Sequence, residues 1–230
     1  MDKKKKNIII ISIIGVVFVA ALGLVGMKVF QGFSAKKYVD AVLDQNVNGE
    51  VGSIVGMTKG LTEDAAKKQY EQTVEGFLNN VVAAESLPLD EEQKKACLDA
   101  CKDIFAELSY RVVDEKKVND KEYEVTVQIK VSDVIEKLKT LLEAETARIN
   151  TKVENGEYRG TMEEIDAQMK ADYAVNLAKV LKEAAKTMKD GESQTVVVTV
   201  KKGENGLYNI EGSQISEILT KMMGLSKKED

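Results

Sequence analysis

The sequence predicts an α+β fold in which an N-terminal transmembrane helix is followed by amphipathic helices that pack on an antiparallel sheet made of two hairpins. Three observations predict it. An uncharged run extends from Ile8 to Met27. Polar and apolar residues alternate from Glu122 to Val131, which is typical of a half-buried strand. The pair Asn205-Gly206, a common hairpin turn, separates two further strand-like runs.

The run from Ile8 to Met27 predicts where the protein is located. Its twenty residues would form about 30 Å of helix, which matches the hydrocarbon thickness of a bilayer. A cleaved signal peptide usually has a shorter apolar region that ends in small residues, so an uncleaved signal anchor is favoured over cleavage and release. Because Lys3–Lys6 precede the run, we expect a single-pass protein with a cytoplasmic N-terminus and an extracytoplasmic body.

The charge differs between the two parts of the chain. Residues 1–32, the basic tip and the anchor, carry a net charge of +4, and residues 33–230, the predicted extracytoplasmic α+β domain, carry −9. An acidic body repels phosphate backbones, so nucleic acid is not an expected partner. The expected partners are the membrane, through Ile8–Met27, and an unknown protein, cell-wall component or small molecule.

The first part of the body predicts three helices and then a hairpin. The third helix has the clearest start, because Asp90 with Gln93 has the form of a capping box. Pro88 marks the break before it. The predicted elements are a helix from Ala35 to Leu43 that stops at Asn46–Gly49, an irregular Gly-rich segment from Glu50 to Gly60, a helix from Thr62 to Val81, a helix from Asp90 to about Leu108, a strand that starts at Tyr110, a turn at Asn119-Asp120 and a strand from Glu122 to Val131.

The second part repeats the order of helices followed by a hairpin. Thr161 with Glu164 forms another capping box. We expect both hairpins to join into one four-stranded sheet. The predicted elements are helices over Asp133–Thr151 and Thr161–Met188 joined by a bend at Asn155–Gly160, strands over Gln194–Lys202 and Leu207–Ile210, and a last helix capped by Ser213 that ends at Gly224.

Several of these segments resemble a known family. They are Ala35–Asp44, the helix start Leu89–Gln93, Tyr110–Val112 leading to Tyr123–Val127, and the closing Val-rich hairpin. They are similar to uncharacterised extracytoplasmic domains of unknown function from Gram-positive bacteria, whose members are typically exported lipoproteins or anchored proteins. The resemblance implies a location and no activity, so it supplies no functional residue. The chain departs from the lipoprotein members because no lipid-attachment Cys follows the apolar run, which the uncleaved span would replace.

The chemistry available to the chain is limited because it contains no His. This excludes Ser-His-Asp and Cys-His nucleophile pairs and removes the commonest zinc ligand. Glu163, Glu164 and Asp166 could form an acidic site, but their position favours a helix start instead. We therefore predict no catalytic, cofactor-binding or metal-binding residue and no cofactor. The predicted function is a membrane-anchored extracytoplasmic binding or interaction module; the alternatives are a His-free hydrolase that uses acidic residues in a cleft, or a secreted protein released by signal cleavage.

Cys97 and Cys101 are the other chemical candidates. Their spacing places them on one helix face with Ile104, Phe105 and Leu108, which favours two thiols in the core. A disulfide would require Cβ atoms about 3.8 Å apart, whereas helical neighbours at this spacing hold them about 5–6 Å apart. A disulfide with local unwinding, and a redox or metal role, are the less favoured alternatives.

Overall fold

The computed structural model describes residues 27–28, 33–58, 60–85, 87–204 and 206–225. In these ranges the chain has a mixed α+β fold, as predicted. The helices are α1 (Ala35–Leu43), α2 (Gly52–Met57), α3 (Glu63–Glu85), α4 (Glu91–Ala106), α5 (Val134–Glu154), α6 (Met162–Thr187) and α7 (Gly212–Met222), with a π-helical turn at Asp44–Asn48. The strands are β1 (Met27–Lys28), β2 (Tyr110–Asn119), β3 (Glu122–Ser132), β4 (Asp190–Lys202) and β5 (Leu207–Ile210).

The strands form one antiparallel sheet in the order β1-β5-β4-β3-β2. The two predicted hairpins, β2–β3 and β4–β5, are therefore joined through β3 and β4, which confirms the four-stranded arrangement. The short strand β1 adds a fifth and was not predicted, since Met27 is the last residue of the predicted span. The rest of Ile8–Met27, and Lys3–Lys6, lie outside the described residues. No helix in the described ranges is both long and apolar enough to cross a bilayer.

One face of the sheet carries the core. The alternation in β3 turns Val125, Val127 and Ile129 inward, where each is at most 1% exposed, and the alternation in β4 does the same for Val196 and Val198. Helices α1 and α7 pack against this face, and α4 packs between α3 and α6 beyond it. Burying a Val or Ile side chain contributes about 1.5–3 kcal/mol, so this face holds the layers together.

Local capping signals fix most helix starts. Both predicted capping boxes are present, Asp90 with Gln93 and Thr161 with Glu164. The predicted cap of the last helix is wrong: α7 begins at Gly212, one residue before Ser213, because the chain turns into the helix directly after β5. The Gly-rich segment predicted to be irregular contains α2, a short helix that buries Ile54.

The exit of α1 requires a glycine. The π-helical turn ends at Gly49, whose φ of 70° lies in the left-handed region. A Cβ atom at this position would lie 2.8 Å from the Tyr70 ring. Gly49 therefore allows both the reversal of the chain and the close approach of α3, in agreement with the predicted stop at Asn46–Gly49.

Candidate binding surface

One edge of β4 is left without a neighbouring strand. β4 has thirteen residues and β5 has four, and β5 pairs only with Val200–Lys202. On the other side, β3 pairs with β4 along nearly its whole length. Within the described chain, residues 193–198 of β4 thus have a strand on one side only. We call residues 193–198 the open edge.

Two hydrogen bonds at the C-terminal end of β4 show in which direction the backbone groups of the open edge point. The N–H of Lys202 donates to the carbonyl of Lys121, on the β3 side, at 2.7 Å, whereas the N–H of Gly203 donates to the carbonyl of Leu207, on the β5 side, at 2.8 Å. Backbone groups point alternately to the two sides of a strand. The odd-numbered residues of β4 therefore direct their N–H and C=O groups away from β3. On the open edge these residues are Ser193, Thr195 and Val197.

A side chain closes the C-terminal end of the open edge, next to Thr199. The Gln214 amide, on α7, accepts a hydrogen bond from the N–H of Thr199 at 2.7 Å and donates to its carbonyl at 3.1 Å. A primary amide has the donor and acceptor of a peptide group, so Gln214 bonds to Thr199 as a neighbouring strand would. This contact shows that the edge accepts a peptide-like group in strand geometry.

A β-bulge closes the N-terminal end of the open edge, next to Ser193. Ser193 pairs with Lys130 on β3, but Asp190 pairs with Ser132, so β4 contains one extra residue between these two positions. Bulges interrupt the regular ladder and protect sheet edges. The regular open edge is therefore limited to six residues between the bulge and Gln214.

The sheet face beside the open edge is exposed and mainly polar. Thr195 pairs with Gln128, and Gln128 accepts a hydrogen bond from Arg111 on β2 at 2.7 Å. Val197 lies beside Thr126 on this face and is 54% exposed. No charged residue occurs between Ser193 and Val200 in the sequence.

The acidic residues considered as a catalytic site lie at the start of α6. The Glu164 carboxylate accepts a hydrogen bond from the N–H of Thr161 at 2.6 Å, and the N–H of Glu164 donates to the Thr161 hydroxyl at 3.3 Å. The contact with Thr161 lowers the pKa of Glu164. Asp166 pairs with Lys170 at 2.9 Å one turn further along α6. Glu163 is exposed in the first turn of the helix. The interpretation as a helix start is confirmed.

Both cysteines are buried free thiols, which confirms the core interpretation. Burial raises the pKa of Cys97 to about 11 and raises the pKa of Cys101 further, so neither thiol is an activated nucleophile at neutral pH. In the described ranges no group of three or more Cys, Asp or Glu side chains is arranged to hold a metal ion.

Sequence reasoning missed a charged cluster between α5 and α6. Arg148 donates to both carboxylate oxygens of Glu145, at 2.9 and 2.6 Å, and to Asp172 at 3.0 Å. Lys152 and Tyr158 also donate to Asp172, at 2.7 and 2.6 Å. Burial alone would raise the pKa of Asp172, but these three donors hold it well below its usual range. We call these five residues the Asp172 cluster. Arg148 and Asp172 are 24 residues apart in the sequence and lie on two different helices, so no local pattern indicates their contact.

A second missed group lies at the exit of α1. Tyr110, at the start of β2, donates a hydrogen bond to Asp44. Burial and the contact with Asp44 raise the pKa of Tyr110. Partial desolvation of its carboxyl group and the charge of Asp44 also raise the pKa of Asp40, which lies one turn earlier. The group joins α1 to the sheet.

The chain enters the body beside three aromatic rings. Phe33 stacks on Tyr208 with ring centres 4.0 Å apart, and Tyr123 meets both rings edge-on. In the same place, Met27 of β1 pairs with Tyr208. The residues on both sides of 29–32 therefore contact the same part of the sheet.

Comparisons with known proteins give one weak structural likeness. No family model matches the chain, and no curated protein matches its sequence. A similar solved structure is that of the provisionally assigned lipoprotein YcdA from Bacillus subtilis subsp. subtilis str. 168, with 13% identity and a TM-score of 0.48. The alignment covers 80% of this chain and 55% of that protein. At this level the likeness assigns neither a family nor an activity to the chain.

Proposed function

We propose that this chain is a membrane-anchored extracytoplasmic binding module without a catalytic role. The observation that carries the proposal is the uncharged run Ile8–Met27 behind Lys3–Lys6. A run of this length can span a bilayer, and the lysines before it keep the N-terminus in the cytoplasm. The body, residues 33–230, then lies outside.

The entry of the chain into the body supports a short connection to the anchor. Lys28 is paired with Leu207, and Phe33 is stacked on Tyr208, with only residues 29–32 between them. A body attached in this way stays close to the membrane surface. Its acidic charge does not attract it to anionic lipids, so the anchor provides the attachment.

The polar groups of the body support a binding role over catalysis. Asp172 and Glu164 take part in structural contacts, and both cysteines are buried. The open edge, in contrast, presents backbone donors and acceptors to solvent. Binding through such an edge uses main-chain hydrogen bonds and requires no reactive side chain.

One feature favours the alternative of a His-free hydrolase. Partial desolvation and the charge of Asp44, one turn along the chain, raise the pKa of Asp40, and a neighbouring pair of carboxyl groups is the acidic chemistry that this alternative requires. The test is turnover of a panel of chromogenic esters and glycosides by the full chain. Activity that Asp40→Asn abolishes would replace the binding role with catalysis.

The topology is tested with single cysteines introduced into the full chain. Met162 is 76% exposed and the native thiols are buried, so Met162→Cys gives a clean signal with a membrane-impermeant maleimide. We expect spheroplasts to label Met162→Cys from outside, and Lys4→Cys only after the membrane is permeabilised.

The reverse labelling pattern would contradict the orientation. The same experiment also tests cleavage, because a chain with both substitutions keeps both labels on one membrane-bound band if the anchor is uncleaved. A shorter Met162→Cys band in the medium, without the Lys4→Cys label, would establish release instead.

A further inference from the structure

We infer that the open edge pairs with the open edge of a second copy of this chain, antiparallel and around a two-fold axis that passes through Thr195. The inference deepens the proposed function, since it names the partner of the binding module and relies on the anchor to bring copies together. The register of the backbone groups, the chemistry of the side chains and confinement in the membrane all favour this pairing.

The register follows from the groups that are available. Ser193, Thr195 and Val197 direct their backbone groups outward, and Thr199 is already bonded to Gln214. A two-fold axis at Thr195 pairs Thr195 with its copy, and Ser193 with Val197 of the second copy. Each hydrogen-bonded pair of an antiparallel ladder makes two bonds, so about six bonds form. Every other two-fold register leaves at least one of the three residues without a partner or competes with Gln214.

The ends of the open edge fit this register. Residue 191 of the second copy would lie opposite Thr199, where the Gln214 side chain is. That residue is Gly191, which has no side chain and lies in the bulge, where β4 bends. The regular ladder ends at this bulge, so pairing in this register does not compete with Gln214 for the backbone groups of Thr199.

The side chains of the open edge do not oppose pairing. Natural edge strands are commonly protected by Lys, by Pro or by inward charges. Between Ser193 and Val200 this edge has only Ser, Gln, Thr and Val. The β-branched residues have high strand propensity, and pairing brings no like charges opposite each other.

The anchor provides the concentration that the interface needs. An edge of about six residues buries much less than the ~1,200 Å² of a stable interface between free proteins. The net charge of the body, −9, also repels a second copy at long range. Attachment to one membrane holds all copies in the same orientation and raises their effective concentration.

The experiment is disulfide cross-linking of the full chain in membranes with a copper catalyst in air. Two thiols lose two electrons and two protons, and copper passes the electrons to dissolved oxygen, which takes up the protons as it is reduced. In Thr195→Cys the two introduced Cβ atoms lie about 5.5 Å apart, close enough for a bond after a small adjustment. In Val197→Cys the same atoms are four residue steps apart, about 13 Å. We therefore expect about tenfold more cross-linked dimer from Thr195→Cys than from Val197→Cys, by this difference in distance.

A mixed sample tests the register directly. When chains with Ser193→Cys and chains with Val197→Cys share one membrane, we expect the heterodimer to cross-link and each homodimer to remain near background. The background is set by Met162→Cys, which is exposed and far from the edge in the sequence. Melting curves by circular dichroism check that each variant is folded.

Three results would overturn the inference. Equal, low cross-linking of Thr195→Cys and Met162→Cys would show that copies do not pair here. A Thr195→Cys adduct with a chain of another mass would show that a foreign strand occupies the edge. Cross-linking of Val197→Cys alone would reject the register. Maleimide labelling of Met162→Cys measures the topology, and cross-linking of Thr195→Cys measures the pairing. Failure of the pairing is therefore distinguishable from failure of the proposed function.

Discussion

The polar groups of the Asp172 cluster are bonded to one another, whereas those on the outer side of the open edge of β4 face solvent. In the cluster, Asp172 accepts hydrogen bonds from Arg148, Lys152 and Tyr158, and a second carboxylate completes the contacts of Arg148. On the open edge, the backbone groups of Ser193, Thr195 and Val197 that point away from β3 have no strand partner in the described chain.

This difference shows where a ligand can gain hydrogen bonds. A satisfied cluster has no group to offer unless it first breaks internal contacts, whereas an open edge offers its groups at no such loss. The conspicuous charges of this chain therefore stabilise the α5–α6 hairpin, and an inconspicuous run of Thr and Val is the candidate binding surface. Four substitutions test this contrast.

The largest expected effect is on stability. Asp172→Ala leaves Lys152 and Tyr158 without their shared acceptor in a partly buried place, and we expect the free energy of unfolding to fall by about 2 kcal/mol. The control is Asp166→Ala on the same helix, whose ion pair with Lys170 is more exposed and should contribute at most about 0.5 kcal/mol. Denaturation of the full chain in detergent, followed by circular dichroism, measures both. Equal losses would remove the distinction between the cluster and a surface pair.

The contribution of Asp172 should depend on pH. Its pKa is lowered in the folded protein, so the contribution is complete above the unfolded pKa of about 4 and is lost as the pH falls below that value. The difference in unfolding free energy between the natural chain and Asp172→Asn should therefore be larger at pH 7 than at pH 3. A difference that grows on acidification would mean that Asp172 is not held in its charged form.

Gln214→Ala should have a smaller effect on stability and a separate effect on pairing. It removes two hydrogen bonds to Thr199, which lowers the free energy of unfolding by about 1 kcal/mol, and it lengthens the open edge. The matched control is Gln168→Ala, because the Gln168 amide bonds to both backbone groups of Arg159 in the α5–α6 hairpin. We expect only Gln214→Ala to increase the cross-linking of Thr195→Cys; an equal increase with Gln168→Ala would argue against the edge.

Local patterns in the sequence predicted most of the fold. Periodicity and capping depend on residues a few positions apart, which is why the boxes at Asp90 and Thr161 and the strand from Glu122 to Val131 were found. The same rules failed at α2, because Gly52 and Gly56 lower helix propensity while burial of Ile54 stabilises the helix.

The candidate surface depends on relations between distant segments. The open edge arises because β5 is shorter than β4 and ends where α7 begins. The unequal lengths of the predicted strands Gln194–Lys202 and Leu207–Ile210 already indicate that one strand extends beyond the other. Only the observed register shows which residues remain unpaired. The pairing of Arg148 with Asp172 likewise requires the packing of two helices, which the sequence pattern alone does not specify.

The smallest expected effect on stability belongs to a substitution that should abolish pairing. Val197 is exposed, so Val197→Lys should change the free energy of unfolding by less than about 0.5 kcal/mol. It places a charge on each copy next to the two-fold axis, as protected natural edges do. We expect the cross-linking of Thr195→Cys to fall to the background level. Val175→Lys, on the exposed face of α6, is the control, since Val175 is 58% exposed and lies outside the sheet. If both lysines reduced cross-linking equally, the cause would be the added charge in general, and the contrast between a satisfied hairpin and an open edge would lose its functional meaning.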